Sequence, residues 1–387
     1  MFKLLKNAHV FAPEDLGIRD ILIAGERIAL VEKDINITGL EIEEYNLNGK
    51  TALPGFIDQH VHIIGGGGEA GYASRTPEIM LSDLTTSGIT TVAGLLGTDG
   101  ITRHMESLLA KARGLESEGL TSYIYTGCYQ VPTCTITGSI RSDIILIDKV
   151  IGAGEIAISD HRSSQPTIEE LKRIAAEARV GGMLSGKAGI VHLHVGSGER
   201  ALSMLFEIVE DTEIPVTQFV PTHMNRSRTL LECGIGWGRI GGYIDITSGV
   251  SPKTDADGSV KPSEAVRTYL ENGIPLENIT MSSDGNGSMP LFNEKREVKG
   301  LMVADCHTLY EEFICMVRDG MNMSEAVSII TANVAKRLRV YPEKGSISAG
   351  SDADIVVLDD SMGIEMVFAR GRLMVENGQA VVKGTFE

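Results

Sequence analysis

The chain has 387 residues, of which 42% are hydrophobic and 22% are charged, proportions that are typical of a globular protein with a sizeable core. Its formal net charge of −17 argues against nucleic acid and anionic membranes as partners, because both bind to basic surfaces. Small molecules remain as the expected ligands. The length exceeds that of one core, which predicts one large barrel with a smaller module, or two domains.

Charged residues near the start of the chain, Lys3 and Lys6, interrupt what would have to be the apolar core of a signal peptide. No apolar run approaches the roughly 18 residues that a membrane span needs. We therefore expect a cytoplasmic protein that does not bind membranes.

The cysteines do not form a metal-binding or disulfide pattern, because they are odd in number, scattered, and include no Cys-x-x-Cys pair. They are Cys128, Cys134, Cys233, Cys306 and Cys315. We expect reduced thiols, so any bound metal must rely on histidine and carboxylate ligands.

Both ends of the chain are rich in strand signals. Short apolar runs at residues 20–24 and 27–31 are separated by turn residues, and the C-terminal tail has similar runs with Asn377-Gly378 as a hairpin turn. We expect the two ends to pair into a small β-sandwich module of residues 1–52 and 341–387, with the catalytic part inserted between them.

The middle of the chain, residues 53–340, alternates strand-like runs with amphipathic helices, one of which opens with the capping box Thr167-x-x-Glu170. This alternation predicts an α/β fold with a (β/α)₈ TIM-like barrel. The eight predicted strands are residues 56–60, 90–93, 122–126, 156–159, 190–194, 216–220, 243–246 and 279–282.

In such a barrel the chemistry lies at the carboxyl ends of the strands. The predicted strands 1, 5, 6 and 8 end in imidazoles or a carboxylate, and strand 4 begins with Glu155. The end residues are His60 and His62, His192 and His194, His223, and Asp284. Imidazole and carboxylate are the ligands that zinc takes when thiolates are absent, so the pattern predicts a metal site.

Several segments resemble the metal-dependent amidohydrolase superfamily and, within it, the family of isoaspartyl (β-aspartyl) dipeptidases. They are the Pro-Gly-Phe-Ile-Asp-x-His-x-His segment ending at His62, Gly65-Gly-Gly-Gly-Glu69, Ala157-Ile-Ser-Asp-His-Arg162, Pro221-Thr-His-Met-Asn-Arg226, Ser282-Ser-Asp-Gly-Asn-Gly-Ser288 and the closing Lys344 to Leu358 segment. The resemblance covers nearly the whole chain.

The resemblance implies two zinc ions per subunit. His60, His62 and Asp284 would hold one ion, His194 and His223 would hold the other, and a carboxylate and a hydroxide would bridge the two. His192 has no counterpart among the family's ligands, so we expect it to pack beside the site or to support a ligand.

One position departs from the family. The bridging group in relatives is a lysine carboxylated by CO₂, seven residues before the Arg of the Asp-His-Arg motif, and Glu155 stands there. We expect Glu155 to bridge directly, helped by a one-residue extension at residues 152–154, and activity to be independent of bicarbonate. The alternatives are a site that is mononuclear or bridged only by solvent, or a carboxylated lysine elsewhere, such as Lys149 or Lys187.

The family's other residues carry over to positions around this centre. Asp284 would take a proton from the hydroxide and pass it to the leaving amine, and Tyr129 would donate a hydrogen bond to the developing oxyanion. Substrate contacts would come from Glu69, which pairs with an ammonium, Arg162 and Arg226, which pair with carboxylates, Ser288, and the backbone near Gly67 and Thr98. A buried structural tyrosine and an Arg162–Asp160 ion pair are the alternatives for Tyr129 and Arg162.

The resemblance therefore predicts a zinc metallopeptidase that hydrolyses isoaspartyl dipeptides (β-Asp-Xaa) and releases aspartate and the second amino acid. The alternatives are a cyclic-amide hydrolase or N-deacetylase of the same superfamily, and an inactive assembly subunit. The resemblance also suggests a homo-oligomer, with an octamer as one form.

Overall fold

The structure is a computed structural model that describes residues 2–250, 258–292 and 298–387. Its elements follow in chain order: β1 (Phe2–Phe11), β2 (Asp15–Ala24), β3 (Arg27–Glu32), β4 (Ile42–Asn46), β5 (Thr51–Pro54), β6 (Phe56–Val61), α1 (Leu81–Thr85), β7 (Ile89–Gly94), α2 (Met105–Glu118), β8 (Thr121–Thr126), α3 (Ile140–Leu146), β9 (Val150–Ile158), α4 (Ile168–Ser185), β10 (Ile190–Val195), α5 (Ser203–Asp211), β11 (Phe219–Thr222), α6 (Arg228–Arg239), β12 (Ile244–Thr247), α7 (Pro262–Glu271), β13 (Ile279–Ser282), β14 (Ser288–Phe292), β15 (Val298–Val303), α8 (Thr308–Arg318), α9 (Met323–Ile329), α10 (Ala332–Arg337), β16 (Ile355–Leu358), β17 (Ile364–Ala369), β18 (Arg372–Glu376) and β19 (Gln379–Ala380).

The two chain ends form one sheet of nine strands, in the order β19-β18-β17-β16-β5-β1-β2-β3, with β4 paired to β1. Side chains from both ends, among them Leu5, Ile23, Ile355 and Phe368, pack in a common core. The predicted β-rich module built from both termini is thus confirmed. The domain bounds at residues 52 and 341 stay a prediction.

The middle of the chain forms the predicted barrel of parallel strands. β6 to β11 lie side by side in one sheet in sequence order, and β12 and β13 form a second parallel pair. A backbone bridge between Val61 and Gly285 brings the end of β13 beside β6, and Met224 N donates to Asp245 O at 3.1 Å, which links the end of β11 to β12. The barrel strands are buried, apart from the partly exposed Tyr123 on β8, as expected for a parallel sheet covered by helices.

Two predicted strands differ from the observed bounds by more than one residue. The sixth starts at Phe219 and not at residue 216, because Val216–Gln218 form a 3₁₀ turn after Pro215. The fourth starts at Val150, so Glu155 lies inside the strand and not at its beginning. Gly152 and Gly154 weaken the strand signal of this segment, which hid its first half in the sequence.

The terminal sheet is joined to the start of the barrel. β5 pairs with β16, and Gly55, the single residue between β5 and β6, donates its N–H to Asp354 O at 2.8 Å. A Cβ on Gly55 would lie 2.2 Å from Thr90 Oγ1, so only glycine fits here. This junction fixes the base of the strand that carries His60.

Helices of the described residues are short or polar, and none meets the length and hydropathy that a membrane-spanning helix requires.

Candidate metal centre and active site

The barrel brings all six predicted ligands together. Ligand atoms of His60, His62 and Glu155, of His60, His223 and Asp284, and of Glu155, His194 and His223 each lie within 4.8 Å of one another. Asp284 Oδ1 is 3.1 Å from His62 Nε2 and 3.3 Å from His60 Nε2. His194 Nδ1 and His223 Nε2 are 3.0 Å apart.

Glu155 lies between the two groups of histidines. Its Oε2 is 3.5 Å from His60 Nε2, while its Oε1 is 2.9 Å from His194 Nδ1 and 3.3 Å from His223 Nε2. The two carboxylate oxygens thus face different imidazoles, which is the arrangement that a bridging ligand needs.

A β-bulge turns Glu155 toward the interior. Val191 and Leu193 on β10 pair with Ala153 and Ile156 on β9, so β9 carries one extra residue at this point. Gly154 makes this possible, since a Cβ there would lie 2.7 Å from His192 O. The bulge corresponds to the one-residue extension that the sequence predicts.

The cluster fits a bound cation. Among the described residues, His60 Nε2 and Glu155 Oε2 are buried and have no hydrogen-bond partner. Buried polar atoms are nearly always hydrogen-bonded, and these two lie within ion-pair distance at 3.5 Å; with His60 Nε2 deprotonated, both would offer lone pairs to a cation. The four imidazoles and two carboxylates have the chemistry that zinc and similar divalent ions bind.

Three of the four imidazoles have a partner at their other nitrogen, whereas His62 Nδ1 is buried without a hydrogen-bond partner among the described residues. His60 Nδ1 lies 2.8 Å from His192 Nε2, His223 Nδ1 lies 2.7 Å from Thr247 Oγ1, and His194 Nε2 lies 2.8 Å from Asp160 Oδ2. Such outer partners fix the tautomer and the orientation of a ligand ring.

The carboxylates and imidazoles shift each other's protonation. Burial lowers the pKa of His60, but the charges of Glu155 and Asp284 outweigh it and raise the pKa to about 9. Burial raises the pKa of Glu155 and Asp284, and the neighbouring histidines more than offset it, so both stay ionised. Burial, followed by the charge of His60, lowers the pKa of His192 to about 3 and keeps it neutral. The ionised carboxylates of Glu155 and Asp284 are therefore the groups of the cluster that would attract a cation.

Two of the predicted ligands have a backbone conformation that is uncommon for residues with a side chain. His223 has φ of 64° and Asp284 has φ of 55°. A left-handed conformation costs on the order of 1–3 kcal/mol and occurs mainly at functional sites. Here it turns the two side chains inward directly after β11 and β13.

A cavity of about 290 Å³ opens above the cluster. It contains every residue predicted to bind substrate, together with three predicted ligands. These lining residues are Gly67, Glu69, Thr98, Tyr129, Arg162, Arg226, Ser288, His62, His194 and Asp284.

Charged groups of both signs project into this cavity. Glu69 Oε1 accepts a hydrogen bond from Thr98 Oγ1 at 2.7 Å and lies 3.4 Å from Arg162 Nη1. Arg162 also makes a two-pronged pair with Asp160, at 3.0 and 2.8 Å, which is the ion pair considered as the alternative for this residue. Arg226 Nη1 lies 3.0 Å from His194 Nε2.

Tyr129 is buried beside the ligands. Its hydroxyl lies 2.6 Å from His194 Nδ1, and its ring lies under the Arg162 guanidinium, 5.5 Å from the centroid. Burial and the charge of Glu155 raise the pKa of Tyr129, so the hydroxyl keeps its proton and can donate it in a hydrogen bond.

The two lysines considered as alternative carboxylation sites lie elsewhere. Lys149 pairs with Glu116, and Lys187 Nζ donates to the carbonyl of Ile144 at 2.7 Å.

The sequence pattern did not predict a site role for Thr247 or Asp160, although each follows or ends a barrel strand. Their position at the carboxyl end of a strand was the available signal.

Comparisons with known proteins agree with this architecture. Residues 51–374 match the model of the Amidohydrolase family. The crystal structure of beta-aspartyl dipeptidase from the thermophilic, keratin-degrading Fervidobacterium islandicum AW-1, in complex with beta-Asp-Leu dipeptide, is 48% identical, covers 98% of both chains and has a TM-score of 0.90.

More distant relatives have other activities. Adenine deaminase 3 of Rhizobium meliloti (strain 1021) is 25% identical over 402 residues, which are 96% of this chain but only 57% of the relative, so this chain spans little more than half of that protein's length. Dihydropyrimidinase from Brevibacillus agri NCHU1002 is 18% identical with a TM-score of 0.71, covering 98% of this chain and 96% of its own, and shares the fold alone. With its family match over most of its length, the chain belongs to the amidohydrolase family.

Proposed function

We propose that this protein is a metal-dependent dipeptidase that hydrolyses the β-peptide bond of isoaspartyl dipeptides. The observation that carries the proposal is the cavity, where Glu69, Arg226 and Arg162 with its partner Asp160 surround the predicted metal ligands. A β-Asp-Xaa dipeptide has one ammonium and two carboxylates beside its scissile bond, so its charges complement the cavity. The 48% identity to a beta-aspartyl dipeptidase supports the same substrate class.

The metal would be zinc, two ions per subunit. His60, His62 and Asp284 would hold one ion, His194 and His223 the other, and Glu155 would bridge them with the two oxygens that face opposite histidines. Bound there, the ions would lower the pKa of water and polarise a carbonyl group.

The protein's own groups would move the protons. Asp284 is ionised and lies at the cavity wall, where it can accept a proton from the attacking water and deliver it to the leaving amine. The Tyr129 hydroxyl is protonated and points at the ligand cluster, so it can donate to the oxygen that gains charge as water attacks.

The remaining cavity residues would set substrate choice. Glu69 would pair with the free α-ammonium, and Arg162 and Arg226 would pair with the two carboxylates. Ser288 and the backbone at Gly67 and Thr98 would complete the polar ring. An α-aspartyl dipeptide places its ammonium and carboxylate at other distances from the scissile bond, so it would fit poorly.

The test is a substrate panel with zinc-loaded protein. We expect release of free aspartate from β-Asp-Leu and none from α-Asp-Leu, dihydroorotate, hydantoin or adenine. Turnover of a cyclic amide or of adenine without turnover of β-Asp-Leu would refute the proposal, because those substrates offer no ammonium to Glu69. No turnover and no bound zinc would indicate an inactive assembly subunit.

Glu155 adds a second test. Because its carboxylate is permanent, activity should be unchanged when bicarbonate is removed from a zinc-replete sample. Loss of activity on bicarbonate removal would show that a carboxylated lysine is still required.

The homo-oligomeric state, the cytoplasmic location and the domain bounds stay predictions, which light scattering, cell fractionation and limited proteolysis can check.

A further inference from the structure

His192 makes a direct contact with a proposed metal ligand from the other side of the barrel. Its Nε2 lies 2.8 Å from His60 Nδ1, and both residues are fully buried. His60 is on β6 and His192 on β10, which are separated by three strands in the sheet. The contact therefore crosses the barrel interior and does not result from neighbouring strands.

The hydrogen bond has a defined direction when His60 Nε2 binds a cation. An imidazole that coordinates through Nε2 carries its proton on Nδ1, so His60 must donate and His192 Nε2 must accept. His192 then carries its own proton on Nδ1. Among the described residues, that atom is buried and has no hydrogen-bond partner.

Packing alone does not explain a histidine at this position. The His192 ring stacks on Tyr125 with centroids 5.0 Å apart and an interplanar angle of 5°, a contact that phenylalanine would also make. An apolar ring would avoid the unpaired buried N–H, which is costly to leave without an acceptor. What histidine provides here, and phenylalanine would not, is the ring nitrogen that faces His60.

We propose that His192 is a positioning residue that holds His60 in the tautomer and orientation required by the ion at His60, His62 and Asp284. In this role it is the counterpart of Thr247, whose hydroxyl lies against His223. The inference rests on the proposed metal centre. It assigns a separate outer partner to each ion. Substitution of one partner should therefore lower the affinity of its own ion and leave the affinity of the other ion unchanged.

The experiment compares matched variants by zinc binding, without substrate. His192→Phe keeps the ring on Tyr125 and removes the acceptor, His192→Gln restores an acceptor near the Nε2 position, and Thr247→Val removes the hydroxyl beside His223. Stoichiometry and both dissociation constants are measured by competition with a chelator. Thermal unfolding of the metal-free variants checks that each one folds.

We expect His192→Phe to lower the affinity for one of the two ions by about 10–100-fold, the usual effect of losing an outer partner. His192→Gln should recover part of that affinity. In a His60→Ala background, where the first ion is already lost, His192→Phe should leave the remaining ion unchanged. Thr247→Val should still lower the affinity for that remaining ion.

Two results would overturn the inference while leaving the proposed function intact. One is wild-type affinity for both ions in His192→Phe. The other is equal weakening of both ions in His192→Phe and His192→Gln with a matching loss of thermal stability, which is the behaviour of a packing residue. A wild-type protein that binds no zinc would instead overturn the metal centre itself.

Discussion

Two buried charge clusters in this molecule are built differently. At the junction of the terminal sheet and the barrel, Lys344 Nζ contacts Asp354 at 2.6 Å, Asp352 at 2.7 Å and Thr121 Oγ1 at 2.5 Å, so that all three ammonium hydrogens have acceptors. At the barrel mouth, Glu155 Oε2 and His60 Nε2 face each other 3.5 Å apart and have no hydrogen-bond partner among the described residues.

The Lys344 cluster stabilises the fold, whereas the Glu155 cluster is arranged to bind a cation. Burying charge is expensive, and a cluster recovers the cost only when each charge is paired with good geometry. The Lys344 cluster recovers it within the protein. The Glu155 cluster leaves acceptor capacity unused, which a cation would satisfy. Substitutions in the first should therefore act on stability, and substitutions in the second on metal binding and catalysis.

The largest effect is expected from Glu155→Gln. The neutral amide cannot bridge two cations, and the loss of metal-based charge stabilisation, worth several kcal/mol, should lower kcat/KM for β-Asp-Leu by about 10³-fold or more. Zinc analysis should show fewer than two ions. Glu116→Gln, which alters a carboxylate outside the cavity, is the control. Wild-type zinc content and activity in Glu155→Gln would show that this carboxylate does not hold the metals.

Lys344→Met tests the cluster around Lys344, in which every charge is paired within the protein. Removing the ammonium leaves Asp354 buried without its counter-ion, which should cost about 3–5 kcal/mol of unfolding free energy. Chemical denaturation of the metal-free protein measures it. The matched change Lys172→Met removes a surface lysine whose partner Glu169 is largely exposed, and should lower the unfolding free energy far less. Equal effects of the two substitutions would contradict the comparison.

Tyr129→Phe should lower kcat by about 10²–10³-fold with little change in KM, because it removes a donor that acts on the developing oxyanion. Tyr310→Phe, which removes a hydroxyl that donates to the Met362 carbonyl, is the control and should leave kcat unchanged. If KM rises in Tyr129→Phe while kcat is kept, the tyrosine binds substrate in its ground state.

A smaller effect is expected from Glu69→Gln. Loss of a charged hydrogen bond to the substrate ammonium is worth about 1.5–3 kcal/mol, or about 10–100-fold in kcat/KM. Zinc content should not change, because Glu69 lies at the rim of the cavity. Glu78→Gln, at a surface pair with Lys111, is the control. Unaltered kinetics in Glu69→Gln would assign ammonium recognition to another group.

The smallest effect concerns alkaline pH. Burial lowers the pKa of Lys344, but Asp354 and Asp352 outweigh it, so the pKa lies above the ordinary value of 10.5. A raised pKa in the folded state means that the stabilisation is complete below about pH 10.5 and is lost as the pH rises through the folded pKa. Wild type should therefore lose stability above this pH more steeply than Lys344→Met. Parallel pH profiles would show that the ammonium is not the titrating group.

The pattern of residues predicts much of this molecule because its strands are short, apolar and regularly spaced. The placement of His60, His62, His194 and Asp284 follows from one rule, that barrel strands present their carboxyl ends to the same mouth. The extension near Gly154 is also visible in the sequence.

Other features depend on distances across the barrel, which local patterns do not encode. The contact between His192 and His60 requires the curvature of the whole sheet, and the 3₁₀ turn at Val216–Gln218 replaces a segment whose composition favours a strand. The partners of Asp160 are another example, because a motif indicates that Asp160 and Arg162 are close but not that the same carboxylate reaches His194.

The pairing of β5 with β16 has a consequence for the order in which the protein is made. The ribosome releases His60 and His62 early, but the strand that anchors the base of β6 is synthesised about three hundred residues later. A nascent chain thus carries its first ligands long before their support exists. The junction at Gly55 can therefore form only after β16 has been synthesised, so the base of β6 gains its neighbouring sheet late in synthesis.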